Sequence, residues 1–325
     1  MRLSNRGSSS SRSERMDSEM DATREAPLRS TGQETPPRRR RRILPIYGWY
    51  LLPFLVVTTT IVLVPLGYSL FLSFHRYNLS EPYRGLSFIG LNNYGTILHD
   101  RYVLASLVVS LEYVLGSLGG EFLVGFALAL LLSQQRLRGL SVFRFFLIMP
   151  LMLTPSTVGM VWKFFYGYTG QVNYMLELIG LSPIDWFSGG KALLSVILVS
   201  VWQNYPFAFL VLFAGMQTIP LELVEAARID GASPWQIFSR ITLPLISTFM
   251  MVILVIRTTN ILRYVDLIFT LTYGGPGRIT ETLSFLIYAS GFSFFEMGYA
   301  SALSFLLVGL SAIITWGYMR FMRGE

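Results

Sequence analysis

The chain has 325 residues, of which 52% are hydrophobic and 14% are charged, and its mean hydropathy is +0.51. This composition excludes an ordinary soluble domain and indicates an all-α integral membrane protein. The chain contains no cysteine, which excludes disulfides and thiolate metal sites. The net charge of +7 does not indicate nucleic-acid binding, because eleven of the 26 basic residues lie in the first 42 positions, beside an apolar segment that they can orient in a membrane.

Residues 1–42 form a basic tail that we expect to be disordered and cytoplasmic. Ser, Arg, Glu and Pro dominate it, so it lacks the apolar side chains that would offset the entropy of ordering. It ends in the run Arg38–Arg42. The apolar stretch that follows is too long for the hydrophobic region of a signal peptide and lacks a cleavage pattern. Residues 43–325 are predicted to be one transmembrane domain.

Six apolar segments are long enough to cross a hydrocarbon core about 30 Å thick, which takes about 20 helical residues. They cover residues 46–74, 104–132, 143–165, 192–216, 243–266 and 297–319. A seventh apolar segment, residues 282–295, is short for a span. It is predicted to be an interfacial or re-entrant helix that leads into the sixth span.

The distribution of basic residues predicts the orientation. Eighteen of them fall in the tail and on one side of the six predicted spans, whereas five fall in the opposite loops. Because Lys and Arg concentrate on the cytoplasmic side, both termini and the segment between spans four and five are predicted to be cytoplasmic. The external loops 75–103 and 166–191 either cap a pathway, receive a partner or are packed connections.

The segment between spans four and five predicts a helix, a tight turn and a second helix. The first helix covers about 220–230, and Gly231 follows where a left-handed helix end would need a glycine. Ser233 is a predicted N-cap, and Gln236 completes a capping box with it. Pro244 is expected to end the second helix.

Charged residues within spans are candidates for a pathway, because each costs several kcal/mol in hydrocarbon unless it faces a cavity or a partner. Glu112 and Glu121 in span two lie nine residues apart and therefore on different faces, and Glu121 is the deeper one. In span five, Arg263 and Asp266 are three residues apart and close enough to pair, while Arg257 is displaced around the helix.

Two interpretations of these charges stay open. They form an internal salt bridge plus an arginine that extends outward or bonds a neighbouring helix, or they line a path for a hydrophilic solute. Asn204 and Tyr205, next to Trp202 in span four, are groups expected around a sugar, although an interhelical hydrogen bond explains Asn204 equally well. Gly116 and Gly120 in span two permit close approach of another helix.

The sequence contains no catalytic signature. Gly189-Gly190-Lys191 lacks the first glycine and the Ser or Thr of a phosphate-binding loop. The two histidines, His75 and His99, have no further ligand at helical spacing. We therefore expect no catalytic residue, no metal and no cofactor in this chain.

Three sequence patterns resemble the coupling-loop signature of permease subunits in bacterial ABC importers: Glu225-Ala226-Ala227, then Asp230-Gly231-Ala232, then Ile241-x-Leu243-Pro244. Flanking segments are similar to the carbohydrate branch of that family, the permeases of the maltose, trehalose and glycerol-3-phosphate type. These segments are Phe88-x-Gly90-Leu91-x-Asn93-Tyr94, Gly215-Met216-Gln217-x-Ile219-Pro220 and Leu271-Thr272-x-Gly274-Gly275-Pro276. The resemblance covers about 45–320 and leaves out the tail.

This resemblance implies a type I importer fold with a coupling loop at 219–243, in the bacterial cytoplasmic membrane. It implies three kinds of protein partner besides the lipid bilayer and no nucleic acid: a second related permease, two cytoplasmic ATPase subunits that bind ATP and Mg²⁺, and an extracytoplasmic solute-binding protein. The chain would form half of the translocation pathway for a sugar or sugar-like solute. Residues implied in ATPase coupling are Glu225, Ala226, Ala227, Asp230, Gly231, Ala232 and Pro244.

Within that loop, Asp230 is expected to bond free backbone N–H groups at the start of the second helix. The candidate pathway residues are Glu121, Asn204, Tyr205, Arg257, Arg263 and Asp266. Two other classes stay open as alternatives. They are an ion-coupled secondary transporter and a membrane-embedded transferase that uses Glu121, Arg257 and Asp266.

Overall fold

The computed structural model describes residues 44–133 and 140–323. The predicted disordered tail, residues 1–42, lies outside these residues. The chain divides into two units, residues 1–57 and 58–325, and each is described by itself. The first unit contributes most of one helix, and the second contains every other element given below.

The described residues are mostly helical. The helices are α1 (Leu44–Thr58), α2 (Val64–Ser73), α3 (Asn92–His99), α4 (Arg101–Ser133), α5 (Leu140–Ile148), α6 (Pro155–Phe165), α7 (Gln171–Leu178), α8 (Lys191–Gln217), α9 (Leu221–Ile229), α10 (Pro234–Ile237), α11 (Leu243–Leu245), α12 (Ser247–Leu262), α13 (Asp266–Leu271), α14 (Leu283–Tyr288) and α15 (Met297–Arg323). Turns of π-helix cover Thr59–Leu63, Phe238–Thr242 and Ala289–Ser293, and turns of 3₁₀-helix cover Pro82–Arg84 and Met149–Met152. The strands β1 (His75–Arg76) and β2 (Ser87–Phe88) pair antiparallel.

Four helices are long and apolar enough to cross a membrane: Tyr50–Ser73, Arg101–Ser133, Lys191–Gln217 and Met297–Arg320. The other two predicted spans are bent rather than straight. Val142–Met152 meets Pro155–Phe165 at 98°, and Pro234–Leu245 meets Ser247–Leu262 at 57°. The described residues therefore provide four spans, or up to six if each bent pair counts as one.

The bend in the third predicted span has a local cause. A residue before proline is pushed out of the helical region, and Thr154 before Pro155 is extended at ψ 143°. Leu153 is extended as well. These two residues break the helix and leave the carbonyl group of Leu153 free to accept a hydrogen bond from another helix.

The fifth predicted span is shorter than residues 243–266, because its helix α12 ends at Leu262. Arg263 leaves the helical conformation at φ −100° and ψ 3°, and a new helix, α13, begins at Asp266. The expectation that Arg263 and Asp266 lie on one continuous helix is therefore wrong.

The most extensive helix packing in the second unit joins α4 to α8. Glycines on α4 allow it: a Cβ atom at Gly116 would come within 2.7 Å of the Ile197 side chain, and one at Gly120 within 2.5 Å of Val201. These contacts confirm the close approach predicted for the two glycines. Gly125 continues the same face, where a Cβ atom would come within 2.7 Å of the backbone nitrogen of Phe209.

Both longer loops are packed connections. In the first, the Asn93 amide donates to the carbonyl groups of Ser73 at 2.8 Å and His75 at 3.1 Å. In the second, the buried Asn173 donates to the carbonyl group of Ile184 at 2.9 Å and accepts from the Trp186 ring nitrogen at 3.0 Å. One buried asparagine therefore organises each loop by satisfying groups that are distant in sequence.

The short apolar segment near residues 282–295 is buried at its beginning. Thr282 caps α14, the backbone N–H of Leu283 donates to Ser110 Oγ on α4 at 2.8 Å, and the Ser284 hydroxyl donates to the carbonyl group of Leu262. These bonds join α14 to α4 and to the end of α12. The segment therefore enters the helix bundle instead of lying wholly on its surface.

Candidate functional site

A cavity of about 540 Å³ opens where three helical segments are interrupted or polar. This volume lies in the range of small-molecule sites, about 300–1,000 Å³. The cavity is lined by Leu151, Leu153 and Pro155 at the bend of the third span, Gln203 and Asn204 on α8, and Arg257, Asn260, Arg263 and Tyr264 on and after α12. Its polar side chains belong to helices that are otherwise apolar, which marks it as the candidate solute site.

Arg257 is paired with Glu121 across two helices. Its Nε donates to Glu121 Oε2 at 2.6 Å and its Nη2 donates to Oε1 at 2.8 Å, and the exposed fractions of the two side chains are 6% and 0%. Such a bidentate pair combines strong hydrogen bonds with a fixed orientation of the guanidinium plane. It joins α4 to α12, so Arg257 is bonded to a neighbouring helix, one of the two roles left open by the sequence.

The predicted pairing of Arg263 with Asp266 is wrong. Among residues 44–133 and 140–323 the ion pairs are Arg84 with Glu81, Arg257 with Glu121 and Arg278 with Glu281. The helix ends between Arg263 and Asp266, so their spacing of three no longer places them on one face. Both side chains are exposed, and only Arg263 lines the cavity.

Gln203 is a site residue that the sequence reasoning missed. Its buried amide donates to the carbonyl group of Leu153 at 3.0 Å and accepts from the Tyr264 hydroxyl at 3.5 Å. It thereby holds the broken third span and the end of α12 around the cavity. The available signal was the continuous run Trp202–Tyr205, four polar or aromatic residues inside an apolar span.

Asn204 lines the cavity, and its amide donates to the carbonyl group of Ser200 on the same helix at 2.9 Å. Tyr205 is half-buried and does not line the cavity. Trp202 packs edge-to-face against Trp162 with ring centroids 5.4 Å apart. Within Trp202–Tyr205 on α8, Gln203 and Asn204 therefore line the cavity, whereas Trp202 packs against α6.

The structure brings together only part of the predicted pathway set. Asn204, Arg257 and Arg263 share the cavity, and Glu121 lies behind Arg257 as its partner. Asp266 is exposed and outside the lining. Glu121, Arg257 and Asp266 thus do not converge on one point, which removes the geometric basis of the transferase hypothesis.

The predicted helix, turn and helix are present over α9 and α10. The turn closes as a Schellman motif: the N–H of Ala232 donates to the carbonyl group of Ala227 at 2.9 Å, and that of Gly231 to Arg228 at 3.1 Å. Gly231 has φ +79°, the left-handed conformation predicted for it. Pro220 is the N-cap residue of α9, which begins at Leu221.

The second helix is capped by Ser233 and not by Asp230. Ser233 Oγ accepts from the N–H of Gln236 at 3.3 Å, and Gln236 Oε1 accepts from the N–H of Ser233 at 2.7 Å. This is the predicted capping box. Because Ser233 already stands at the cap position, the bonding role expected for the exposed Asp230 is wrong.

Pro244 lies one residue before the end of the second helix, close to the expected position. The chain passes from α10 through a π-helical turn, Phe238–Thr242, into α11 and bends only after Leu245. Proline lacks the N–H that would bond one turn back, and the wider π turn absorbs this missing donor. Residues 234–262 therefore form two helical segments that meet at Ile246 at an angle of 57°.

This segment exposes large apolar side chains. Ile229 is 85% exposed and Trp235 is 71% exposed, and Glu225 beside them is exposed as well. A shallow concavity of about 380 Å³ lies between the two helices and is lined by residues that include Ala227, Asp230 and Gly231. Apolar groups gathered around a turn in this way are typical of a surface that contacts another protein.

The described part of the chain, residues 44–133 and 140–323, holds no group of three or more His, Asp or Glu side chains arranged to bind a metal ion. His75 is buried, and its Nδ1 lies 2.7 Å from the carbonyl oxygen of Phe71. His99 Nδ1 lies 2.9 Å from the carbonyl oxygen of Gly95. Both histidines therefore have structural partners.

Residues 121–323 match a protein family described as the binding-protein-dependent transport system inner membrane component. The chain is 36% identical over 289 residues to the probable ABC transporter permease protein y4oQ of Sinorhizobium fredii, covering 87% of this chain and 93% of that protein. It is 34% identical over 275 residues to the trehalose/maltose transport system permease protein MalF of Thermococcus litoralis, covering 84% and 92%.

The fold is similar to that of a chain in the crystal structure of a bacterial ABC transporter involved in the import of the acidic polysaccharide alginate. The TM-score is 0.74 at 23% sequence identity, and the match covers 85% of this chain and 94% of that chain. At this identity the likeness concerns the fold alone.

Proposed function

This chain belongs to the family of binding-protein-dependent transport system inner membrane components, and on that premise we propose that it forms one half of the translocation pathway of an ATP-driven importer for a sugar or sugar-like solute. Like these relatives, it is a permease and not an enzyme. One observation carries the proposal. The exposed turn at Gly231 continues through two helical segments, Pro234–Leu245 and Ser247–Leu262, and the second segment carries Arg257 to the cavity.

The solute class is inferred from the cavity and supported by the relative named for trehalose and maltose transport. Gln203, Asn204, Asn260 and Tyr264 offer amide and hydroxyl groups, and Arg257 offers N–H donors. Sugar hydroxyls both donate and accept hydrogen bonds, so a wall of this kind matches them. The apolar bend at Leu151 and Leu153 provides a surface for the hydrophobic face of a sugar ring.

We further propose six spans, with each bent pair crossing the membrane once and with both termini in the cytoplasm. The concentration of arginines in the tail and near the turn at Gly231 supports this orientation. In this arrangement α9 and α10 face the cytoplasm and dock into a groove of an ATPase subunit. Two such subunits bind ATP and Mg²⁺, a second related permease completes the pathway, and an extracytoplasmic protein delivers the solute.

In this proposal α9 acts as the contact element. Ala226 and Ala227 keep the contact close because their side chains are small, while Glu225 supplies a charge and Ile229 an apolar anchor. When the ATPase subunits close on ATP, they move α9. The helical segments that follow, residues 234–262, transmit this motion to the cavity and shift the pathway between inward-facing and outward-facing states.

The test is reconstitution of the permease pair with its ATPase and binding proteins. Glu225→Lys and Gly231→Asp are expected to abolish solute-stimulated ATPase activity, because each changes the charge of the docking surface, while solute binding to the external protein stays unchanged. Normal stimulation in both variants would contradict the coupling role. The purified chain alone in liposomes is expected to show no uptake, and ion-driven uptake by it alone would instead support the secondary-transporter alternative.

A further inference from the structure

Glu121 does not line the cavity, yet it controls a residue that does. It is fully buried, and its two carboxylate oxygens accept from Nε and Nη2 of Arg257 at 2.6 and 2.8 Å. Arg257 itself belongs to the cavity lining. A guanidinium has five N–H donors in a fixed plane, so a bidentate partner on one edge leaves the donors of Nη1 and one of Nη2 for another ligand.

We infer that Glu121 is a positioning residue that fixes Arg257 toward the cavity and cancels its charge, so that this wall receives an uncharged, hydroxyl-bearing group of the solute. The inference rests on the proposed function of the cavity and specifies its solute class at this wall. Arg263, the other cation of the lining, is exposed, so solvent screens its charge. Arg257 is buried, and the effect of Glu121 on its charge is therefore strong.

A purely structural role would not require this geometry. Buried ion pairs are often replaceable by apolar residues of similar volume without loss of stability, because both charges must be desolvated. Here Arg257 lines the cavity, and the Glu121 carboxylate occupies the edge of its guanidinium that carries Nε and Nη2. The pair thereby presents hydrogen-bond donors to the cavity at a fixed orientation and without a net charge.

The absence of native cysteine allows a direct measurement of the charge at this wall. Asn260 lines the cavity, is exposed, and lies three residues from Arg257 on the same helix. In Asn260→Cys, the reaction rates of the single thiol with an anionic sulfonatoethyl and a cationic trimethylammonioethyl methanethiosulfonate report the local potential. The protein would be the full permease complex in nanodiscs, and the labelling would be read on this chain alone after the subunits are separated.

Adding Glu121→Gln is expected to raise the ratio of the anionic to the cationic reaction rate by about tenfold or more, because it leaves the arginine charge uncompensated. Glu121→Asp keeps the charge and is expected to keep the ratio. The double variant Glu121→Gln with Arg257→Gln removes both charges and is expected to restore it. Glu112→Gln, an exposed carboxylate on the same helix, is the matched control and should leave the ratio unchanged.

An unchanged ratio in Glu121→Gln would overturn the inference, even if the variant lost transport. If Glu121→Gln fails to assemble, Glu121→Asp and the double variant still test charge cancellation. Each is expected to have the same ratio of anionic to cationic reaction rates as Asn260→Cys alone, and a different ratio would contradict the inference. Protection of the thiol by trehalose and by trehalose 6-phosphate tests the solute class. Trehalose is expected to protect better in the parent, and the phosphate is expected to gain about tenfold in Glu121→Gln.

Better protection by the phosphate than by trehalose in the parent would overturn the assignment of an uncharged group. Failure of every sugar to protect the thiol, in all variants, would contradict the proposed function of the cavity instead. The reagent ratio would still report the charge. The two failures are therefore distinguishable.

Discussion

Gly231 is a residue whose backbone, rather than its surroundings, restricts substitution. Its φ of +79° lies in the left-handed region, while a Cβ atom there would meet no heavy atom within 4 Å. The cost of a side chain is thus conformational, about 1–2 kcal/mol for an L-residue in this region and less for asparagine. The turn holds the relative orientation of α9 and α10, so strain here changes the docking surface.

We predict that Gly231→Ala lowers solute-stimulated ATPase activity severalfold, that Gly231→Val lowers it further and that Gly231→Asn retains most of it. The matched control is Gly180→Ala, because Gly180 has φ +82° and equally open surroundings but lies in the loop after α7. It should incur the same strain without loss of stimulation. Equal loss in both alanine variants would show that strain alone, and not the coupling surface, is responsible.

The buried pair of Glu121 and Arg257 predicts an asymmetry between single and double variants. Arg257→Ala leaves a buried carboxylate without its partner and is expected to lower the free energy of unfolding by about 3–5 kcal/mol. Glu121→Leu combined with Arg257→Met should recover most of this loss but not the uptake of solute. Chemical unfolding of the detergent-solubilised chain measures the first effect, and reconstituted uptake measures the second.

Asp266→Asn serves as the control for that pair, because Asp266 is exposed and outside the cavity lining. Its effect on stability should stay within about 0.5 kcal/mol. If the double variant lost as much stability as the sum of the losses in Glu121→Leu alone and Arg257→Met alone, the pairing would be contradicted.

At the scale of elements, the contact between α4 and α8 depends on small residues at regular positions. Gly125 lies against the backbone of Phe209, which cannot rotate away as a side chain could. We predict that Gly125→Ala destabilises the chain by about 1–3 kcal/mol through overpacking. Thermal unfolding in detergent measures the change.

The matched control for this prediction lies on the same helix. A Cβ atom at Gly119 would meet no heavy atom within 4 Å, so Gly119→Ala is expected to be neutral or slightly stabilising by helix propensity. Equal effects of the two alanine substitutions would mean that α4 and α8 are not in the close contact described above.

The elements also show why some sequence predictions failed. The bounds of α4, α8 and α15 lie within a few residues of the predicted spans, because long apolar runs determine them. The third span is broken at Thr154, and the fifth is bent at Ile246 and ends at Leu262, before Arg263. Pro244 lies one residue before the end of α11, which is close to the predicted end of the second helix. Whether such a site bends depends on neighbouring helices that satisfy the freed backbone groups.

At the scale of the whole molecule, orientation in the membrane remains a prediction from the arginines. The cysteine-free chain permits single substitutions at exposed positions, Glu222→Cys beside the coupling turn and Ser182→Cys in the loop after α7. We predict that a membrane-impermeant maleimide labels the thiol of Ser182→Cys in intact cells and that of Glu222→Cys only after permeabilisation. The reverse pattern would place the coupling segment outside and contradict docking to an ATPase.

Local sequence patterns were sufficient to predict a membrane protein, its long apolar helices and the caps of the coupling segment. Periodicity, caps and the glycine at Gly231 are properties of neighbours along the chain, so Ser233 and Gln236 could be paired without coordinates. The resemblance carried by Glu225-Ala226-Ala227 and Asp230-Gly231-Ala232 added the family, which the comparison with known proteins shows.

Which charges meet depends on the packing of segments that are distant in sequence. Arg263 and Asp266 looked like partners because they are close in sequence, whereas Arg257 and Glu121 are 136 residues apart and pair through the packing of α12 on α4. Gln203 likewise gained its role from a carbonyl group freed by a helix break 50 residues earlier. A buried charge or amide must be paired, because its desolvation is costly, and packing determines which partner is within reach. Spacing within one helix does not show which residues of other helices pack against it.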